Sequence, residues 1–285
     1  MIQDIEPHEF HNEYVPSEPQ TGDYLLDFNE QGILIRENED GTLEVPEYQG
    51  EKEVQFLFTL DEKKYFLAKK VKADSSYQRM TLREIRGRRP KEVVFAIMTG
   101  YHLFRWYEEH RFCGGCGERL CHSKTERMLY CPSCGQMHYP TIAPAIIVGV
   151  IHEDKILVTQ YAGRNYKKDA LIAGFTEIGE TLEQTVKREV MEEVGLSVKN
   201  IVYYKNQPWG MACNLLVGFF AELEGDEQIC LDTSELSVGK WVRRQDMEVV
   251  QEDFSLTREM MNVFAIHGRK ALKPDEIDRY REDYR

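Results

Sequence analysis

The chain has 285 residues, 42% of them hydrophobic and 30% charged, with a net charge of −13. That length supports more than one core, and the composition is that of an ordinary globular protein. The acidic balance argues against broad electrostatic binding to nucleic acid, and no apolar run approaches the roughly 18 residues needed to cross a bilayer.

The first residues, MIQDIEPHEFHNEY, are acidic and lack the basic start and apolar core of a secretion signal, so the expected location is the cytoplasm. Residues 1 to about 75 show short alternating segments with turn signals. Tyr24 to Arg36 reads as two strands around Asn29–Gly32, and Val54 to Val71 as a hairpin turning near Asp61–Lys63. RGRRPK (Arg86 to Lys91) is the most basic patch and reads as a solvated loop before a helix, in preference to a phosphate or RNA contact. From Lys91 to about His110, apolar and aromatic residues recur at helical spacing, the pattern of a core-packing helix.

Seven cysteines are present, and five lie between Cys113 and Cys134. Clustered thiols in a chain without a secretion signal point to metal rather than disulfides. Cys113 and Cys116 form one C-x-x-C, and Cys131 and Cys134 another. Four thiolates at this separation make a closed tetrahedral site for one structural Zn2+. Cys121, Cys213 and Cys230 fall outside the pattern and read as small packing residues. The segment between the knuckles carries few basic or aromatic residues, so a structural clip or dimer support is a better reading than a nucleic-acid reader.

From Pro144 the pattern becomes that of an α/β sandwich, to about residue 267. Ala145–Ile151 and Lys155–Gln160 read as a buried hairpin, and Asn200–Tyr204, Leu215–Ala221 and Lys240–Val242 as further strands. Ser255–His267 reads as an amphipathic helix, and residues 268–285 as a charged, exposed or loosely packed tail.

Between these strands lies GFTEIGETLEQTVKREVMEEVGL, from Gly174 to Leu196. Thr181 with Gln184 is a capping-box pair, and Gly195 is a natural left-handed terminator. Leu182, Val186, Val190 and Val194 recur every four residues as a core stripe. Glu189, Glu192 and Glu193 fall within an arc of roughly 100° on that helix. Three like charges so close repel one another, and a hard divalent cation reverses the sign of the argument.

Gly174, Glu180, Arg188, Glu189, Val190, Glu192, Glu193, Gly195 and Leu196 match the Nudix box, G-x5-E-x7-R-E-U-x-E-E-x-G-U with U a bulky apolar residue, at every fixed position. With a four-cysteine ribbon in front, the chain resembles the NADH pyrophosphatase (NAD diphosphatase) subfamily of Nudix hydrolases. The resemblance runs from roughly Ala96 to Arg258. It implies an α+β chain with a β-rich domain over 1–108, ending in a helix, and a zinc ribbon over 109–140. A Nudix α/β/α sandwich over 141–267 and a charged tail over 268–285 complete it. The implied reaction is attack of water on the pyrophosphate of NAD(H), assisted by Mg2+ or Mn2+, giving AMP and nicotinamide mononucleotide.

Carried over by position, Glu189, Glu193, Glu192 and the carbonyl of Ala173 are metal ligands, and Glu192 is also a candidate base. Arg188 is structural, pairing with Glu180. Glu235 matches a second acid supplied from outside the helix, although Val238 stands where a further glutamate is common. Phe175 and Tyr139 match aromatics that sandwich a base, Tyr139 across a homodimer interface. The subfamily signature S-Q-P-W-P-F-P is only partly kept. Gln207, Pro208 and Trp209 match, Gly210, Met211 and Ala212 do not, and Cys213 and Asn214 complete the loop. Glu126, Arg83 and Thr257 match further substrate contacts. The altered loop keeps NAD-capped RNA 5′ ends, ADP-ribose and dinucleoside polyphosphates open as substrates. A nucleotide-sensing regulator without catalysis is the contrasting class, and the full acid set argues against it.

Overall fold

The computed structural model describes residues 1–163 and 168–283. The chain divides into an N-terminal unit, Ile2–Ile142 with Trp209–Cys213, and a C-terminal unit containing Ala143–Pro208 and the chain from Asn214, with Met1.

In the N-terminal unit, the Val54–Val71 hairpin forms as expected. The Tyr24–Arg36 hairpin is confined to its later part, because Tyr24–Leu26 pairs in parallel with Lys63–Ala68 in another sheet. Phe28–Asn29 turns back onto Gly32–Glu37, and Val54–Leu60 onto Lys63–Ala68, with Asp61 in the left-handed region at the turn. They belong to two four-stranded sheets. The helix α1 (Lys91–Glu109) buries Val94, Ala96, Ile97, Leu103 and Trp106. Its Gly100 is explained by contact, because a Cβ there would lie 2.2 Å from Leu26 Cδ1. The basic stretch before α1 is more engaged than a solvated loop. Arg88 pairs with Glu37, Leu43 N–H donates to the Arg89 carbonyl, and the Arg86 guanidinium lies over the Trp209 ring at 5.3 Å. The ribbon follows as three short strands, Cys121–His122, Leu129–Tyr130 and Met137–His138, with Leu120 and Leu129 packed on Trp106.

The C-terminal unit is a mixed six-stranded sheet with helices on both faces. Its centre is β1 (Ala143–His152), which pairs along one edge in parallel with β5 (Asn214–Glu224). Along the other edge it pairs with β2 (Lys155–Tyr161) and with β3 (Ile172–Phe175). The outer strands are β4 (Ser197–Trp209), next to β5, and β6 (Leu236–Arg243), next to β2. Strand alternation in β1 separates two cores. Ile146, Val148 and Val150 meet Val186, Val190 and Val194 of α2 (Leu182–Val194). Ile147 and Ile151 face the opposite side, with Leu256, Met260 and Phe264 of α3 (Leu256–His267). Val186, Val190 and Val194 are fully buried, each worth roughly 1.5–3 kcal/mol of transfer free energy.

One expectation is corrected. Among the described residues, the tail after 267 is a short 3-10 turn followed by α4 (Pro274–Asp283). Ala271, Ile277 and Tyr280 are buried in the α3-side core, and the Tyr280 ring stacks on His267 at 3.8 Å. Ile277 and Tyr280 stand at i and i+3, so two apolar residues suffice to bind a helix that is otherwise charged.

Candidate functional site

Helix α2 is set by its ends. Thr181 Oγ1 accepts from Gln184 N–H at 3.2 Å, and the Gln184 side chain returns to Thr181 N–H at 2.7 Å. At the other end Gly195 takes a left-handed φ of 68°, and its N–H donates to the Met191 carbonyl. The valine stripe holds the buried face, which fixes where the glutamates stand.

Glu189 reaches back over β3. Gly174, in register with Ile146 of β1, leaves the recess that its carboxylate occupies. A Cβ on Gly174 would lie 2.0 Å from the Glu189 carboxyl carbon. The need for glycine here is therefore a side-chain seat rather than a turn. Burial raises the Glu189 pKa, opposed by the hydrogen bond from Arg188.

Arg188 brackets the whole site. Its Nε and Nη2 donate to the two oxygens of Glu180 at 2.7 and 3.0 Å. Nη1 donates to Glu189 at 2.8 Å and Glu192 at 2.9 Å, and Nη2 also donates to the Phe175 carbonyl at 2.9 Å. The guanidinium pulls Glu180 down to about 2. The expected Arg188–Glu180 pair is present, and the arginine additionally ties β3 to α2 and carries two glutamates of the acid face.

Glu193 is the anomaly. It is 4% exposed, and its Oε2 is buried without a hydrogen-bond partner. Burial, then the charges of Glu189, Glu235 and Asp232, push its pKa up to about 8. A buried unpaired carboxylate is costly, and a bound cation removes that cost.

Glu235 comes from outside the helix, as expected, and the backbone explains how. Cys230 and Asp232 N–H donate to the Val194 and Glu193 carbonyls, which the helix end leaves free, each at 2.9 Å. The segment is then stitched to β2 by Ala162 N–H donating to the Glu235 carbonyl at 2.8 Å. Glu235 itself is exposed. Asp232, part of the same acid environment, escaped the sequence reading because its only signal is this non-local pairing.

The donor set fits a hard divalent cation. All side-chain candidates are carboxylates, one is buried and orphaned, and one sits in a recess that only glycine leaves open. The carboxylates do not converge as the thiols do. Among the described residues, the four cysteines are the one group of three or more His, Cys, Asp or Glu side chains whose ligating atoms lie within 4.8 Å of one another.

In the ribbon, Cys113 Sγ lies 3.6 Å from Cys134 Sγ, and Cys116 Sγ lies 3.4 Å from Cys131 Sγ. Gly117 and Gly135, both with positive φ, turn each knuckle so that their N–H groups return to the Cys113 and Cys131 carbonyls. The Cys134 and Ser133 N–H groups help draw the Cys131 thiol down to about 7. Four soft donors so placed support a structural zinc.

The remaining expected residues fall into both units. Phe175 stands exposed on β3 beside Gly174, with 55% of its surface open. Gln207 is fully buried, donating to the Phe254 carbonyl at 2.8 Å and accepting from Leu256 N–H at 2.9 Å. Its amide therefore fixes the end of β4 to the start of α3. Pro208 is exposed on that outer strand, Asn214 is buried at the start of β5, and Thr257 is half-buried at the start of α3. Trp209, Gly210, Met211, Ala212 and Cys213 belong to the N-terminal unit. Gly210–Ala212 is a 3-10 turn, and a Cβ on Gly210 would lie 2.1 Å from the Met98 carbonyl oxygen of α1. Glycine at the first altered position of the loop is thus demanded by backbone contact. Tyr139, 53% exposed, donates to Glu126 at 2.8 Å, and Arg83 is exposed on the one-turn helix Leu82–Ile85. These also lie in the N-terminal unit.

A glutamate helix on a mixed sheet and a four-thiol ribbon define the class. Residues 141–262 match the NUDIX domain family, and residues 108–139 match the NADH pyrophosphatase zinc ribbon domain. Among similar proteins is the NAD-capped RNA hydrolase NudC of Salmonella paratyphi B. It is 41% identical over 162 residues, 57% of this chain and 63% of that one. The NAD-capped RNA hydrolase NudC of Salmonella typhimurium matches with the same identity and coverage. The chain spans 63% of the length of these curated relatives. A NUDIX hydrolase structure from Nitrosomonas europaea is 23% identical with a TM-score of 0.47, covering 55% of this chain and 90% of that one.

Proposed function

We propose that this protein hydrolyses the pyrophosphate bond of NAD(H), giving AMP and nicotinamide mononucleotide, with Mg2+ or Mn2+ as the cation. The observation that carries the reading is Glu193, buried and unpartnered beside the seated Glu189 in a complete Nudix box. Glu189, Glu192, Glu193, Glu235 and the Ala173 carbonyl would hold the cation. When bound, it would neutralise the pyrophosphate and lower the pKa of the attacking water. Water adds to one phosphorus, the bridging P–O bond breaks, and a carboxylate takes the proton, with Glu192 and Glu235 as candidates because both are exposed. Arg188 keeps Glu189 and Glu192 oriented.

Phe175 and Tyr139 offer flat faces for a base, and Arg83, Glu126, Thr257 and the Gln207–Asn214 loop complete the substrate contacts. Gln207 acts there by holding the loop rather than by touching the ligand. The working organisation is a β-rich domain over 1–108, the ribbon over 109–140 and the hydrolase over 141–267. The helix α4 completes the last of these. The protein acts in the cytoplasm as a homodimer, which light scattering of the purified chain tests. The activity test is AMP release from NAD(H) with Mg2+ or Mn2+, and absence of AMP under both cations sinks the reading.

A second reading keeps the chemistry and changes the substrate to NAD-capped RNA 5′ ends. It is favoured by the Gly210–Ala212 departure and by the activity that names the Salmonella relatives. ADP-ribose and dinucleoside polyphosphates are the remaining comparators. A kcat/KM panel separates them, and a wide margin for NAD(H) over capped RNA retires the second reading.

A further inference from the structure

The N-terminal unit contains a concavity, and none of the residues lining it is among the expected substrate contacts. It has a volume of about 280 Å3 and is walled by the Val54–Ala68 hairpin, the end of α1 and the ribbon. Its floor is apolar, with Val54, Leu67, Leu120 and Leu129. On one wall the rings of Tyr107 and His122 lie 5.1 Å apart at 36°, a partly stacked pair.

The rim carries Lys69, Arg111 and Arg119 against Glu53 and Glu108. Lys69 is already paired with Glu108 at 2.8 Å. Among the described residues, Arg111 and Arg119 make no ion pair. Two uncompensated guanidiniums facing one carboxylate give a locally positive cleft in a chain of net charge −13. The carbonyl end of α1 disfavours an anion, but it is blunted here. His110 caps the Trp106 carbonyl twice, through its backbone N–H at 3.0 Å and its Nδ1 at 2.9 Å.

An inorganic anion would satisfy the rim and leave the apolar floor and ring pair unused. An apolar ligand would leave the arginines unused. The volume matches a ligand at the small end of ordinary binding clefts, about one nucleotide rather than a strand. We propose that this cleft binds a single phosphorylated nucleoside. Its base lies against Tyr107 and His122, and its phosphate meets Arg111 and Arg119. The proposal stands independently of the hydrolysis reading, because it needs no turnover and uses other residues.

The test is calorimetric titration of the zinc-loaded full chain with AMP, without added Mg2+ or Mn2+. The parent is expected to bind AMP about tenfold more tightly than adenosine. The double variant Arg111→Glu/Arg119→Glu is expected to lose that event by about tenfold or more while hydrolysing NAD(H) as the parent does. Equal AMP binding by parent and variant overturns the proposal. Tighter binding of a short RNA than of AMP, lost on the same variant, also overturns it and assigns the cleft to a nucleic-acid strand. Should the double variant shed zinc, protection of Lys69 from acetylation by AMP in the parent, read by mass spectrometry, decides the matter. Protection supports the site, and none overturns it.

Discussion

The ribbon presents four donors and the glutamate helix three, and the two sets are built in opposite ways. The four thiols converge within 4.8 Å of one another, and backbone N–H groups already stabilise thiolate character at Cys131. Among the described residues the glutamates do not converge in this way. Glu192 is drawn onto Arg188, Glu189 sits in the Gly174 recess, and Glu193 is buried with an oxygen left over. A closed soft site serves the fold, so it is preassembled. On the proposed reading the glutamates form an open hard site that must admit substrate and water, and a cationic side chain and burial hold its donors ready.

The largest break in this comparison is on the ribbon side. Cys131→Ser removes one of four donors around which Leu120, Leu129 and Trp106 pack. Structural zinc contributes on the order of 10 kcal/mol in small zinc domains. The variant is expected to purify without its zinc and to lose the ribbon's protection against proteolysis, checked by elemental analysis and limited digestion.

On the glutamate side, Glu193→Gln is expected to lower turnover on the order of 10³-fold with the fold intact. Its effect on stability has the opposite sign. The folded pKa is raised from 4.5 to about 8, so the contribution of this group is fully present below about 4.5 and is lost as pH rises through 8. With divalent cations chelated, the glutamine variant should therefore be more stable than the parent above pH 8, on the order of 5 kcal/mol, and equal to it near pH 4. Urea melts at the two pH values check this, and a parent that is the more stable at alkaline pH contradicts the burial argument.

Gly174→Ala sharpens the contrast without removing a donor. The new Cβ would occupy the seat of the Glu189 carboxylate, which is the far end of a flexible side chain and can move away. Stability should change little. Mn2+ affinity, followed by titration, should fall by about tenfold, and activity with it. Unchanged affinity would mean that Glu189 need not occupy this recess.

The four thiols and the three helix glutamates were legible as clusters from spacing alone, because each cluster is local. Two C-x-x-C pairs and one helical turn of glutamates need no knowledge of the rest of the fold. The capping box and the left-handed Gly195 were legible for the same reason. What escaped was non-local or hidden by averaging. The fan of Arg188 reaches the Phe175 carbonyl across to another element. Glu235 was matched through the family resemblance alone, because the backbone bonds that place it run from Cys230 and Asp232 to the end of α2, some forty residues back, where side-chain identity carries no signal. The C-terminal helix is mostly charged, so its overall polarity masked Ile277 and Tyr280, the two residues that dock it. Gly210 read as a departure from a signature, whereas the approach of the Met98 carbonyl explains it.

The smallest expected effect isolates the bracket that holds the open site. Glu180 accepts two hydrogen bonds from Arg188 and others from Thr185 Oγ1 and Glu177 N–H, at 2.9 and 3.1 Å. Its pKa is lowered from 4.5 to about 2, so this group favours the folded state above about 4.5 and the contribution fades as pH falls through 2. Glu180→Gln keeps a hydrogen-bond acceptor and removes the charge. Its melting temperature should sit slightly below the parent's at pH 7, with the gap closing between pH 4.5 and pH 2 as the parent loses the same charge. Turnover should fall less than in Glu193→Gln, because Arg188 keeps its bonds to Glu189 and Glu192. A gap that persists at pH 2 would mean that the shape of the bracket matters and its charge does not.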